Sequence, residues 1–207
     1  LALVDGTGLA SNYRLNSTVI NITKRVLNSS GSKFYDANTN ALDADISLSN
    51  LVSGELLNHS GTATISSANA GSYTITNLAG ISLADNTGLA SNYTLTGGTH
   101  SFTINRKSVD IAGSRQYNGS TNIAASDITG ITDTVNSQTL TMSGGLGTTS
   151  SANVGTYNLT DTSAGSLTLG NGIGGSAGLA ANYTLTGGSQ TYTVTKKVLN
   201  STGAKTY

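Results

Sequence analysis

Cysteine, proline and tryptophan are absent from these 207 residues, phenylalanine occurs twice and methionine once. Without cysteine there can be no disulfide staple, no zinc–thiolate site and no cysteine nucleophile. Charge is scarce as well: 10% of residues are charged, and Lys+Arg balance Asp+Glu at ten each. With no basic surplus to neutralise phosphates, nucleic acid is excluded as an expected partner. No run of 18 apolar residues is present, so no helical membrane span is expected in this stretch. Cytosolic proteins typically carry about 25% charged residues, and this composition is unusual for one.

What is present argues against disorder. Disorder needs low hydrophobicity together with high net charge, whereas here the net charge is zero and the 36% hydrophobic fraction is spread evenly. Thr, Tyr, Val and Ile fit a pleated, half-buried surface. Ile46-Ser47-Leu48-Ser49, Thr62-Ala63-Thr64-Ile65 and Tyr73-Thr74-Ile75-Thr76 alternate with period two. No segment carries a capped apolar stripe of period 3.6, so no long helix is expected. The expected fold is all-β: small antiparallel, sandwich-like domains, either immunoglobulin-like or β-grasp-like, built from short strands. Tyr93–Leu95 and Phe102–Ile104 read as the arms of a hairpin turning at Gly97-Gly98, with a counterpart at Gly187-Gly188.

Internal repeats set the organisation. Gly88-Leu89-Ala90-Ser91-Asn92-Tyr93-Thr94-Leu95-Thr96-Gly97-Gly98 recurs from Gly178 to Gly188, and Gly8–Tyr13 is an earlier copy of its start. Ile22–Asn28 returns as Val194–Asn200, with a weaker copy at Ile104–Asp110, and Ser66–Tyr73 matches Ser150–Tyr157. These landmarks lie about 80 to 90 residues apart, a period of one small domain rather than one coil of a solenoid. The reading divides the chain into 1–24, the tail of one repeat; 25–106 and 107–196, two complete repeats; and 197–207, the head of another. Tyr207 then stands where Tyr35 and Tyr117 stand, and the phase predicts a piece of a longer array. Tyr35, Tyr73, Tyr93, Tyr117, Tyr157 and Tyr183 recur at matching places as a structural motif, and Tyr73, Tyr93, Tyr157 and Tyr183 are expected to be largely buried and to fill much of the core. Six of the ten basic residues sit in three junction pairs, Lys24-Arg25, Arg106-Lys107 and Lys196-Lys197. They read as solvated edges that block edge-to-edge pairing, or else as partners for acidic groups on a neighbouring repeat.

Candidate chemistry is sparse. His59 and His100 have no acid or serine at matching positions in both repeats, and the one glutamate, Glu55, lacks a second carboxylate and reads as a surface turn residue. No catalytic residue and no cofactor is assigned. Asp36, Asn38, Asn40, Asp43 and Asp45 place oxygens in the alternating manner of a Ca²⁺ loop. Ala41 and Ser47 stand where such a loop has its glycine and its bidentate glutamate, and an Asx-rich turn bonding its own backbone is the plainer reading. Thr94-Leu95-Thr96 and Thr191–Thr195 could form a flat threonine ladder, although strand preference alone explains them.

Lys33-Phe34-Tyr35-Asp36-Ala37 and Arg115-Gln116-Tyr117-Asn118-Gly119 resemble the Lys-x-Tyr-Asp-Gly signature of the YDG/MBG-type repeats of large bacterial surface adhesins. That group includes filamentous-haemagglutinin-like proteins exported by two-partner secretion. The Ser-Ala-Asn-x-Gly-x-Tyr and Asn-Tyr-Thr-Leu-Thr segments are similar to later motifs of the same repeats, in the same order. Ala37 departs from the signature glycine and Asn118 from its aspartate. The resemblance implies a non-enzymatic, extracellular stalk or spacer at the bacterial surface, touching neighbouring repeats and serving cell adhesion and biofilm formation. An alternative is that the repeats themselves bind host or matrix glycan or protein. It also makes the sequons at Asn16, Asn21, Asn28, Asn58, Asn118, Asn158 and Asn200 candidates for glycosylation; those at Asn92 and Asn182 begin strands, where burial would exclude sugar.

Overall fold

The computed structural model describes residues 2–16, 19–160 and 164–206; the expected role of Tyr207 falls outside them. Residues 2–24 hold one 3₁₀ turn, Ala10–Asn12, and among the described residues there no strand. From Arg25 onward strand follows strand. The first half contains β1 (Arg25–Val26), β2 (Asn28–Phe34), β3 (Asn40–Leu42), β4 (Ile46–Ser49), β5 (Leu57–Ile65), β6 (Gly71–Asn77), β7 (Ile81–Asp85), β8 (Tyr93–Thr94) and β9 (His100–Asn105). The second contains β10 (Lys107–Ser108), β11 (Asp110–Gln116), β12 (Asn122–Ala124), β13 (Ile128–Thr132), β14 (Leu140–Gly144), β15 (Leu146–Thr148), β16 (Gly155–Leu159), β17 (Thr168–Asn171), β18 (Tyr183–Thr184) and β19 (Gln190–Thr195). The chain is all-β, and no helix among the described residues is long and apolar enough to cross a membrane.

Each strand pairs within its own half, and both halves follow one plan. β2 lies between β4, antiparallel, and β9, parallel; β11 lies likewise between β13 and β19. β6 and β16 close the far side against β9 and β19. The two-residue strands β1 and β10 run parallel to β8 and β18, pairing Arg25 with Tyr93 and Lys107 with Tyr183. Sheet pairing is therefore mixed rather than purely antiparallel. The first and last long strands lie side by side and parallel at the centre, which is the β-grasp-like of the two expected arrangements. Burial alternates along β2 and β11 in the same phase, turning Ser29, Gly31 and Lys33, or Ile111, Gly113 and Arg115, inward.

The hairpin expected at Gly97-Gly98 does not form. A turn is there, with the Gly98 amide 3.4 Å from the Leu95 carbonyl, but its arms part. β8 goes to β1, while β9 goes to β2 and β6. Leu27, which joins β1 to β2, and the start of β2 run against the turn and donate backbone hydrogen bonds to both arms. Leu27 N donates to Thr94 O at 2.8 Å, and Ser29 N to Thr99 O at 3.0 Å. Backbone approaches so closely that a Cβ on Gly98 would lie 1.9 Å from the Leu27 carbonyl oxygen. Gly188 sits against Val109 O in the same way.

Two buried clusters hold the strands together. Ile111, Ile123, Leu159, Leu167, Tyr192 and Val194 belong to the second half alone. The other cluster gathers Ile46, Ile65, Ile75, Phe102 and Ile104 of the first half and continues through Tyr35 into Val109 and Tyr183 of the second. The two halves thus lack fully separate cores: strand pairing respects the boundary near Arg106-Lys107, and side-chain packing crosses it.

Candidate functional site at the junction

The Lys-x-Tyr stretch at the end of β2 shows how its residue types are used. Lys33 points inward beneath the turn that follows, and its Nζ lies 2.9 Å from Asp36 Oδ1 and 3.0 Å from Oδ2. It also donates to Asn38 Oδ1 at 2.9 Å, to Asn38 O at 3.0 Å and to Asn40 O at 2.6 Å. Three members of the Ca²⁺-like set, Asp36, Asn38 and Asn40, do converge, but on an ammonium carried by the chain itself. Asp43 and Asp45 instead form the 3₁₀ turn Asp43–Asp45. Among the described residues no group of three or more His, Cys, Asp or Glu could hold a metal ion. In the second half the Arg115 guanidinium takes the same place, bonding the Ser120 and Asn122 carbonyls. A cation from β2 or β11 thus staples the turn in each half. The signature glycine is explained by backbone: Gly119 has φ 79°, and Ala37 is forced to φ 64°.

The tyrosine that follows divides the halves. Tyr35 and Tyr117 are placed alike, their amides bonding Asn105 O at 2.9 Å and Thr195 O at 2.8 Å. Tyr35 is 5% exposed and Tyr117 is 41% exposed. The difference is the neighbouring half. Tyr35 packs edge-on against Tyr183, with centroids 5.3 Å apart and an interplanar angle of 78°. Its hydroxyl lies 3.3 Å from Gln138 Oε1 and 3.2 Å from Gln138 Nε2. Tyr183 donates to the same Oε1 at 2.6 Å and accepts from Val135 N at 3.0 Å. Burial raises the Tyr183 phenol above its ordinary pKa. Beside it Asn182, 1% exposed, accepts from Ala70 N at 2.8 Å and donates to Asn69 Oδ1 at 3.0 Å. One residue, Arg106, separates β9 from β10, so these contacts fix how one half sits on the other.

The first half carries a matching face. Tyr93 donates to Glu55 Oε2 and accepts from Val52 N at 3.2 Å, as Tyr183 does with Gln138 and Val135. The hydrogen bond to Glu55, with burial second, raises the Tyr93 phenol. Glu55 is accordingly a half-buried partner of Tyr93, not a free turn residue. Gly88 and Gly178 make room for these side chains: a Cβ would meet Glu55 Oε2 at 2.7 Å or Gln138 Oε1 at 3.0 Å. Sequence reading missed the Glu55–Gln138 equivalence because the segments around them share no motif. The available signal was the repeated glycine opening Gly-Leu-Ala-x-Asn-Tyr.

The remaining expectations resolve locally. Tyr93 and Tyr183 are buried; Tyr73 and Tyr157 are half-buried, their hydroxyls donating to Ala70 O at 3.3 Å and Asn153 O at 2.6 Å. Two of the junction cations bond within their own half: Arg25 to Asn50 at 2.5 and 2.9 Å, Lys107 to Asp133 at 2.8 Å. Both acceptors sit at left-handed positions ending the edge strand, φ 69° and 63°. His100 lies 2.9 Å from Ser29 Oγ and 2.8 Å from Leu95 O; Gln190 donates to Leu185 O at 2.7 Å in the same place, so a neutral amide does the same tethering. His59 stands elsewhere, on β5. Asn16, Asn21, Asn58, Asn92, Asn118, Asn158 and Asn200 are exposed, Asn28 is half-buried, and Asn182 is inside the junction. Thr193 meets Thr156 across strands at 3.2 Å, an exposed cross-strand pair.

Comparison with known families detects a YDG domain at residues 16–101, less than half of the chain. No curated protein and no solved structure matches this sequence. The second half is tied to the first by its strand plan, its cation-stapled turn and its motif order.

Proposed function

We propose that this chain is a stretch of stalk from a large extracellular bacterial adhesin, a non-enzymatic spacer that carries a binding tip away from the cell surface. Its direct partners on this reading are neighbouring units of the same chain. The junction carries the proposal. A single linking residue and an interlocked set of Tyr35, Gln138, Asn182 and Tyr183 give neighbouring units a set angle, where a Gly/Ser linker would leave them free to swing. Few charges and abundant small polar residues make a hydrated exterior. A chain without cysteine also suits export in an unfolded state, since no disulfide can close early.

Clefts of about 780 and 400 Å³ recur at matching places, one beside Tyr93 and one beside Tyr183. Their recurrence in both halves fits a shared architectural groove better than a specific glycan or matrix site. Small-angle scattering on the chain should show an elongated particle at least two units long. A compact particle would refute the spacer, and saturable glycan binding would replace it with the adhesive reading.

A further inference from the structure

The contacts between the halves have an unused counterpart at each end of the pair. At the second half's outer end, Tyr117 is exposed although its backbone is held as Tyr35's is. Beside it, Ser151–Val154 repeats the turn that receives Asn182: Asn153 N bonds Ser151 Oγ at 3.1 Å, as Asn69 N bonds Ser67 Oγ at 3.1 Å. Val154, in the place of Ala70, is 48% exposed. At the first half's outer face stand Glu55, Asn92 and Tyr93, the equivalents of Gln138, Asn182 and Tyr183. They line a cleft of about 370 Å³ with Val52, Arg25 and the preceding Ile22, Thr23 and Lys24, and Asn92 is exposed where Asn182 is buried.

We propose that the Tyr117–Asn153–Val154 end is a docking surface whose occupant is a further copy of this chain, engaged through its Glu55–Asn92–Tyr93 face. The Tyr35 junction within the chain is the template. Tyr117 enters the 370 Å³ cleft and lies edge-on against Tyr93, its hydroxyl donating to the Glu55 carboxylate. Asn92 closes on the Val154 amide and the Asn153 side chain. The two surfaces differ from each other, so the contact is head-to-tail and gives an extending array or a ring rather than a symmetric dimer. Glu55 in place of Gln138 makes this contact the more selective one. A carboxylate can only accept, so it rejects any occupant that cannot donate a hydrogen bond. The inference deepens the stalk reading and rests on it for its biological sense, not for its geometry.

The test joins two copies in register, residues 1–196 followed directly by 25–207, so that Lys196 stands where Lys24 and Arg106 do. Nitration of tyrosines, read by peptide mass spectrometry, should show Tyr117 of the first copy losing its reactivity to the level of Tyr35. Asn92→Asp in the second copy should restore that reactivity. Tyr117 remaining as reactive as in the single chain would overturn the proposal. If the joined chain fails to fold, sedimentation of the unaltered chain decides. Concentration-dependent association abolished by Tyr117→Ala supports the surface, and a strict monomer at all concentrations overturns it. Scattering on the joined chain separates the two readings: a protected Tyr117 in a compact particle keeps the surface and sinks the stalk, while an exposed Tyr117 in a long particle does the reverse.

Discussion

Ala37 holds φ 64° where Gly119 holds φ 79°, and the same turn therefore has a strained and a relaxed version in one molecule. A left-handed alanine costs about 1–2 kcal/mol, partly offset because glycine loses more entropy on folding. Ala37→Gly should stabilise the first half by about 0.5–1 kcal/mol. Gly119→Ala should cost about 1 kcal/mol through backbone strain alone, since nothing lies within 4 Å of the added Cβ. Denaturant titration of both variants checks the pair, and equal signs would contradict it. A second residue-scale effect concerns alkaline pH. Burial first, and then the 2.9 Å hydrogen bond to Asp127, raise the Tyr192 phenol above its ordinary value of about 10. The fold favours the neutral phenol, so its contribution is intact below about pH 10. It is lost as pH rises beyond that, where the unfolded phenol ionises and the folded one does not. Tyr192→Phe should make the alkaline fall in unfolding free energy shallower; an unchanged slope counts against this account.

At the scale of elements, the glycine pairs turn the chain and also let backbone pass beside backbone. Gly188→Ala places a Cβ 2.1 Å from the Val109 carbonyl oxygen and should cost about 1–3 kcal/mol, the range for overpacking. Gly175→Ala, with open space around it, should be near neutral under the same chemical denaturation. Alternation made the long strands legible in the sequence, and the repeated motifs gave their period. Pairing was less legible. Tyr93–Ile104 carries every local mark of a hairpin, yet its partners arrive from Arg25–Phe34, far back in the chain, and parallel registry of that range leaves no trace in a short window. In the candidate site, Tyr35 and Tyr183 were legible as recurring tyrosines. Gln138 and Asn69 were not, because a junction residue is defined by what the next unit brings to it.

At the scale of the whole molecule, stability should behave as a sum of two units and one interface. Tyr35 reaches from the first half into the second, against Tyr183, and its removal should cost about 3–5 kcal/mol, the range for truncating a buried aromatic. Most of that loss falls on the coupling between halves. Calorimetry should show a single cooperative transition in the parent chain and two resolved transitions in Tyr35→Ala. Two transitions already present in the parent would mean that the interlocked side chains do not couple the units.

The central parallel pair also decides how each unit carries tension. β2 and β9 run the same way side by side, in register from Ser29 with His100 to Phe34 with Asn105. The chain therefore enters a unit at one end of this pair and leaves at the other. A pull along the array drags the two strands lengthwise past each other, loading their ladder of hydrogen bonds together instead of peeling it open bond by bond. β11 and β19 repeat the arrangement in the next unit. Each unit is thus built as a shear clamp in line with the load, and single-molecule extension from the two termini should give tall, evenly spaced rupture peaks; low, gradual yielding would show that the strands unzip. On the stalk reading proposed above, this geometry would resist extension with no disulfide among these residues.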